Sequence, residues 1–215
     1  MPRVVVCAGT QRGLFVFESQ GGRAKWTMRG PYLKGWAVYH AITDVRGAPR
    51  VHAAGGGGSF GATTFSADLG KLRFKGADAP PVPPKLAPKA AGFVKKYGLP
   101  SDPRVWHIEP GRANEPKVLY AGTAPAALFR SENLGKTWTE VTSLTRHKSR
   151  KDWNPGAGGQ CLHSIQLDPR IPGRMYVAIS AAGTFRSDDE GASWTPMNKA
   201  VASYRGAPAE SEVGT

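Results

Sequence analysis

Two stretches of this chain superimpose at a single offset, and that repetition constrains the fold more than any other feature. They run from Val118 to Val141 and from Met175 to Met197. Ser131 falls on Ser187, Gly135 on Gly191 and Trp138 on Trp194, each 56 residues on (131 to 187, 135 to 191, 138 to 194), and Tyr120/Tyr176 and Phe129/Phe185 keep the same spacing. A fixed period of this size marks a supersecondary unit that buries its faces only against copies of itself.

Two further copies are degenerate. Residues 5–28 repeat the Ala-Gly-Thr of 121–123 at Ala8-Gly9-Thr10 and end near Trp26, without the serine and acid of the turn. Residues 51–74 keep Ser66, Asp68 and Gly70, with Phe74 near the tryptophan position. The units read as about 4–28, 37–75, 104–141 and 160–197. In each well-formed copy the turn is a box of Ser, Asn or Asp, Gly and Trp: Ser131, Asn133, Gly135 and Trp138, then Ser187, Asp189, Gly191 and Trp194. The Asn or Asp side chain can accept backbone N–H bonds and glycine supplies a positive φ. The hydroxyl bonds across the turn and the tryptophan folds back as an apolar plug, so the box staples structure and performs no chemistry.

Ahead of each later pair lies another short segment of strand character, at 39–45, 105–110 and 161–168. Four strands per unit, repeated radially, is the β-propeller architecture, so an all-β fold of about four blades is expected. Between units two and three, Ala77 to Pro103 carries Pro80, Pro81, Pro83, Pro84 and Pro88. It reads as a long surface loop, polyproline-like at first, with a short helical turn near 89–98.

The boxes resemble the BNR/Asp-box repeats of sialidase-like and sortilin-like propellers. Longer strings at 29–42, 105–111, 115–131 and 153–169 resemble bacterial Asp-box proteins of the glycosyl hydrolase or exo-sialidase type. The resemblance spans about residues 4–199 and implies fold far more strongly than activity. Members of that group are longer, complete propellers. Here unit one lacks a leading strand and the sequence after Lys199 carries neither box nor strand pattern. The expectation is a truncated arc of about four blades, with an open sheet edge inviting self-association and a disordered or aberrant tail at 200–215.

Function is thinly written. A sialidase needs three arginines on a carboxylate, a tyrosine nucleophile with a glutamate, and an acid/base aspartate. Arg170-Ile171-Pro172 looks like a sialidase motif, but it sits in a turn of unit four. Tyr120 and Tyr176 are repeat positions. For a general glycosidase pair, Asp44, Glu109 and Asp152 are the best-placed carboxylates, the first two each ending a leading strand. The leading strands also hold His40, Trp106-His107 and His163 at matching places, where they face a central channel; with Trp36 and Trp153 as stacking platforms they form the candidate ligand site. Their spacing is not that of a metal site, and no metal or cofactor is expected. Cys161 and His163, two apart on a strand, share a face if alternation holds.

Composition narrows the classes. Lys+Arg 29 against Asp+Glu 16 gives +13, but the only dense basic run is 146–151, so attraction to nucleic acid is expected to be non-specific. No apolar run approaches the ~18 residues of a membrane span. Two cysteines make no disulfide framework and no signal-peptide pattern opens the chain, which points to the cytoplasm. The reading is a non-catalytic propeller module that binds a protein or glycan; the alternative is an exo-sialidase-like glycoside hydrolase, inactive through truncation.

Overall fold

The computed structural model describes residues 3–56, 61–77, 79–81, 85–180 and 182–198; the tail expected at 200–215 lies outside them. Strands follow one another in four antiparallel sets. The first has three strands, β1 (Arg3–Thr10), β2 (Gly13–Gln20) and β3 (Thr27–Tyr32). The second has β4 (Ala37–Asp44), β5 (Arg50–Gly56), β6 (Ala62–Asp68) and β7 (Lys75–Ala77). The third has β8 (Arg104–Pro110), β9 (Leu119–Ala124), β10 (Leu128–Ser131) and β11 (Thr139–Glu140). The fourth has β12 (Leu162–Leu167), β13 (Met175–Ile179), β14 (Gly183–Ser187) and β15 (Thr195–Pro196). A single bridge, Gly56 to Arg104, joins the second and third sets. These are four propeller blades, with each leading strand laid against the blade before it.

The core lies between blades. Leu14 and Val16 of blade 1 pack with Val38, Val51, Ala53 and Phe65 of blade 2. Ala54 of blade 2 packs with Val105, Ile108, Ala121 and Phe129 of blade 3. Tyr120 and Leu128 of blade 3 meet Ile165, Met175, Val177 and Phe185 of blade 4. Strand alternation makes this work: even positions of β9 face forward to the next blade, odd positions back to the previous one. The repeated glycine of Ala-Gly-Thr follows from the same packing. A Cβ at Gly9 would lie 2.5 Å from the Val38 carbonyl oxygen, and one at Gly122 would lie 2.4 Å from that of Leu162. Both contacts are with the second or first residue of the next leading strand.

The boxes of blades 3 and 4 close as turn chemistry dictates. Ser131 Oγ accepts from Gly135 N at 2.9 Å and Asn133 Oδ1 from Thr137 N at 2.9 Å. Ser187 Oγ accepts from Gly191 N at 2.7 Å and Asp189 Oδ1 from Ser193 N at 2.8 Å. Two consecutive residues adopt positive φ, Leu134–Gly135 and Glu190–Gly191, and Trp138 and Trp194 are buried. Blade 2 departs from the sequence assignment. Ser66 pairs opposite His52, the place that Arg130 and Arg186 hold opposite Tyr120 and Tyr176. Ala67 therefore takes the serine position, because a one-residue slip moves a strand side chain to the other face. Asp68 still closes its turn, accepting from Gly70 N at 2.9 Å and Lys71 N at 3.2 Å.

A second repeated device ties neighbouring blades together. In the turn after β4, Arg46 donates to the carbonyls of Glu115 at 2.8 Å and Val118 at 2.9 Å in blade 3. In the turn after β8, Arg112 donates to the carbonyls of Asp168 at 2.7 Å and Arg174 at 2.8 Å in blade 4. Val118 and Arg174 are equivalent, each immediately preceding the second strand of its blade.

Two longer connections sit at the end where the leading strands begin. The 77–103 connection contains α1 (Pro88–Tyr97), opened by a proline and closed by Gly98 at φ 60. The 142–160 connection contains α2 (Thr142–Thr145) and a 3-10 helix at Lys148–Asp152. α1 packs on the 3-10 helix, and Arg150 Nη2 donates to the Lys85 carbonyl at 3.3 Å.

The glycine contact predicts a directional outcome. Gly122→Ala should destabilise by about 2 kcal/mol, a Tm loss on the order of 4–8 °C. Gly22→Ala, where a Cβ meets nothing within 4 Å, should leave the thermal melt unchanged.

Candidate functional site

Each leading strand carries a β-bulge near its start, between Val38 and His40, Val105 and His107, and Leu162 and Ser164. The extra residue is Tyr39 in blade 2, Trp106 in blade 3 and His163 in blade 4. Bulges re-aim side chains out of the regular alternation, and here they recur at one end of three adjacent strands. The Tyr39 and Trp106 rings pack at 4.6 Å between centroids, tilted by 31°. Beside them the His40 and His107 rings stack at 4.0 Å and 22°. His40 Nδ1 accepts from Ile108 N at 3.4 Å, and His107 Nε2 lies 3.3 Å from Glu109 Oε2.

Electrostatics follow from this crowding. Burial, and then repulsion from His107, push His40 down to about 4. His163 is lowered in the same order, by burial and then His107, which places it within reach of the pair. The three leading-strand histidines thus share one end of the fold. Among the described residues no group of three or more His, Cys, Asp or Glu side chains is arranged to hold a metal ion.

The other sequence candidates separate from this cluster. Trp153 is 0% exposed, packed on Phe185 at 5.4 Å with its indole N–H on Ser149 Oγ at 3.0 Å. It anchors the 142–160 connection in the core and offers no stacking face. Trp36 is half-buried, edge-on to Phe65 at 5.0 Å in the core between blades 1 and 2. Cys161 is buried, which pushes its thiol up. The bulge at His163 breaks the alternation that would have put the two on one face.

Asp44 and Glu109 do not make a glycosidase pair. Asp44 is buried and bidentate on Arg46, at 2.9 and 2.7 Å. Burial opposes its charge, but the hydrogen bonds from Arg46 and His52 outweigh it and hold the carboxyl well below the usual range. A general acid needs the opposite shift. Asp44 instead orients the arginine that grips blade 3.

The sequence reading missed His52. Its Nδ1 lies 2.6 Å from Ser66 Oγ and its Nε2 lies 3.3 Å from Asp44 Oδ2. The chain Ser66–His52–Asp44 has the residue types of a hydrolytic relay, but His52 is 0% exposed. The relay is a polar brace where blades 3 and 4 carry Tyr120–Arg130 and Tyr176–Arg186. No spacing rule announces it; only the pairing of His52 with Ser66 across β5 and β6 brings it together.

At the opposite end a cavity of about 480 Å³ lies between the first turns of blades 3 and 4, against Glu109, Arg112, Asn114, Asp168, Arg170 and Pro172. A second of about 480 Å³ lies between blades 1 and 2, against Arg3, Thr43, Val45 and Asp68. Their recurrence marks them as grooves between blades, and the Arg170-Ile171-Pro172 fragment simply lines one.

No protein-family model matches the chain. It is similar to an oligoxyloglucan-reducing end-specific xyloglucanase of Emericella nidulans, 26% identical over 113 residues, 53% of this chain and 14% of that protein. The chain therefore spans about a seventh of that relative's length. Among solved structures it is similar to the GH74 xyloglucanase of Xanthomonas campestris, with a TM-score of 0.57 and 17% identity over 90% of this chain and 27% of that one. It is also similar to YCF48 from Cyanidioschyzon merolae, with a TM-score of 0.51 and 15% identity over 87% of this chain and 52% of that one. At these identities the structural likeness is one of fold. The sialidase expectation finds no support among these relatives.

His40 provides a pH test. Its folded value is depressed, to about 4, against about 6.5 unfolded, so the unfolded chain binds the extra proton between those values. Stability should fall as pH drops from about 6.5 towards 4. Thermal melts across that range should show the decline, and His40→Gln should make it shallower, with His163 supplying the remainder.

Proposed function

We propose that this chain is a non-catalytic propeller segment that binds a glycan where its leading strands begin. The supporting observation is the bulged cluster: the tilted Tyr39–Trp106 pair beside the His40–His107 stack, with His163 on the next leading strand feeling the charge of His107. Aromatic faces with polar edges suit sugar rings, which present apolar C–H faces and hydroxyl rims. The curated relative named for oligoxyloglucan makes xyloglucan oligosaccharides the first ligand class to test.

The carboxylates support the non-catalytic reading. Asp44 is committed to Arg46 and His52, and Glu109 faces His107. A glycoside hydrolase remains the second reading because of the xyloglucanase likeness.

One experiment separates them. Xyloglucan oligosaccharides titrated against tryptophan fluorescence should give a saturable change, weakened at least about tenfold, or ~1.4 kcal/mol, by Trp106→Ala. The same mixtures should release no new reducing ends over hours. Release of reducing ends would establish the hydrolase, and a flat titration would refute glycan binding of this class.

A further inference from the structure

The basic run at 146–151 and the proline-rich connection at 77–103 are not used by the bulged cluster, yet the fold brings them together. α1 of the first connection packs on the 3-10 helix of the second, and Arg150 Nη2 reaches the Lys85 carbonyl at 3.3 Å. A Cβ at Gly159 would lie 2.5 Å from the Pro100 carbonyl oxygen, so the far ends of the two connections also meet.

Their charges therefore adjoin. Lys85, Lys89 and Lys96 come from the first connection and Arg146, Lys148 and Lys151 from the second, all of them exposed. The acids of the two segments are Asp78, Asp102 and Asp152, and Asp102 is paired with Arg104 at 3.2 Å.

α1 adds rings to this charge. Ala90 and Val94 are its buried row. Lys89, Phe93, Lys96 and Tyr97, at i, i+4, i+7 and i+8, share the face beside that row. Phe93 is 38% and Tyr97 54% exposed, with ring centroids 4.5 Å apart and planes tilted by 46°. Lys96 Nζ lies 5.0 Å from the Tyr97 centroid. A solvated charged face has no need of exposed rings between its lysines.

The charge calls for a polyanion, and the rings narrow which one. A run of acidic side chains gives them nothing to stack on. A helix that seats in a lipid surface turns its apolar row outward, whereas α1 turns Ala90 and Val94 inward. Unpaired nucleotides supply both a phosphate and a π-face. We infer that α1 and the 142–160 connection form a docking surface for single-stranded nucleic acid, with the lysines and Arg146 on phosphates and Phe93 and Tyr97 against a base. Such contact tolerates any sequence, because every base has a π-face.

The test is the anisotropy of a fluorescein-labelled oligothymidylate of about 20 nucleotides, titrated with the full chain at about 100 mM salt. The expected result is saturable binding, weakened at least about fivefold by Lys89→Glu and by Lys151→Glu, and about threefold by Tyr97→Ala. The two charge reversals should also flatten the dependence of affinity on salt, and Tyr97→Ala should leave that dependence as it is. Lys136→Glu, exposed on the box turn at the opposite end of blade 3, should bind as the parent does. All four positions are exposed, so thermal melts should match the parent and separate lost contact from lost fold. An unsaturated titration, or binding indifferent to Tyr97→Ala, overturns the inference. So does equal or tighter binding of a blunt duplex, of polyglutamate or of phosphatidylserine vesicles.

Discussion

Everything in this structure depends on how closely one blade can approach the next. Small twisted sheets of this kind have too little apolar surface to bury alone, so the core is distributed over the seams. The approach is set where the leading strand of one blade crosses the second strand of the blade before it. At Gly9 and Gly122 no side chain could intervene between backbone and backbone. Given that contact, the even positions of one blade and the odd positions of the next interleave, and the three core clusters follow.

Two kinds of polar fastening hold the seams in register. At the outer edge, Ser131 with Asn133 and Ser187 with Asp189 satisfy the N–H groups of tight turns and let Trp138 and Trp194 fold inward. Across the seams, Arg46 and Arg112 each donate to two backbone carbonyls of the next blade. Asp44 belongs to this second system. Its carboxylate fixes the fork of Arg46, and its burial together with His52 makes it a structural anion.

The end where the leading strands begin has a different character. Bulges at Tyr39, Trp106 and His163 interrupt regular pairing, and aromatic rings stack across blades. The two long connections meet at the same end through α1 and Arg150. The arginine fastenings and the bulged strand starts thus lie at opposite ends of the arc.

The repeat, the four units, the two working boxes and the matching places of His40, His107 and His163 can all be read from the linear chain. Those features are local or periodic: a turn needs its serine and glycine at fixed offsets, and a fixed offset survives without knowledge of the fold. Only the tertiary structure decided the rest. Ser66 looks like a box serine in a linear alignment, yet β5–β6 register turns it to His52. Trp153 looks like a free platform, yet it plugs the seam between blades 3 and 4. The arginine clamps escape notice because Arg46 and Arg112 sit in turns of different length and act on backbone carbonyls of another blade. Carbonyls have no residue identity, so no pattern of side chains could have revealed what those arginines hold.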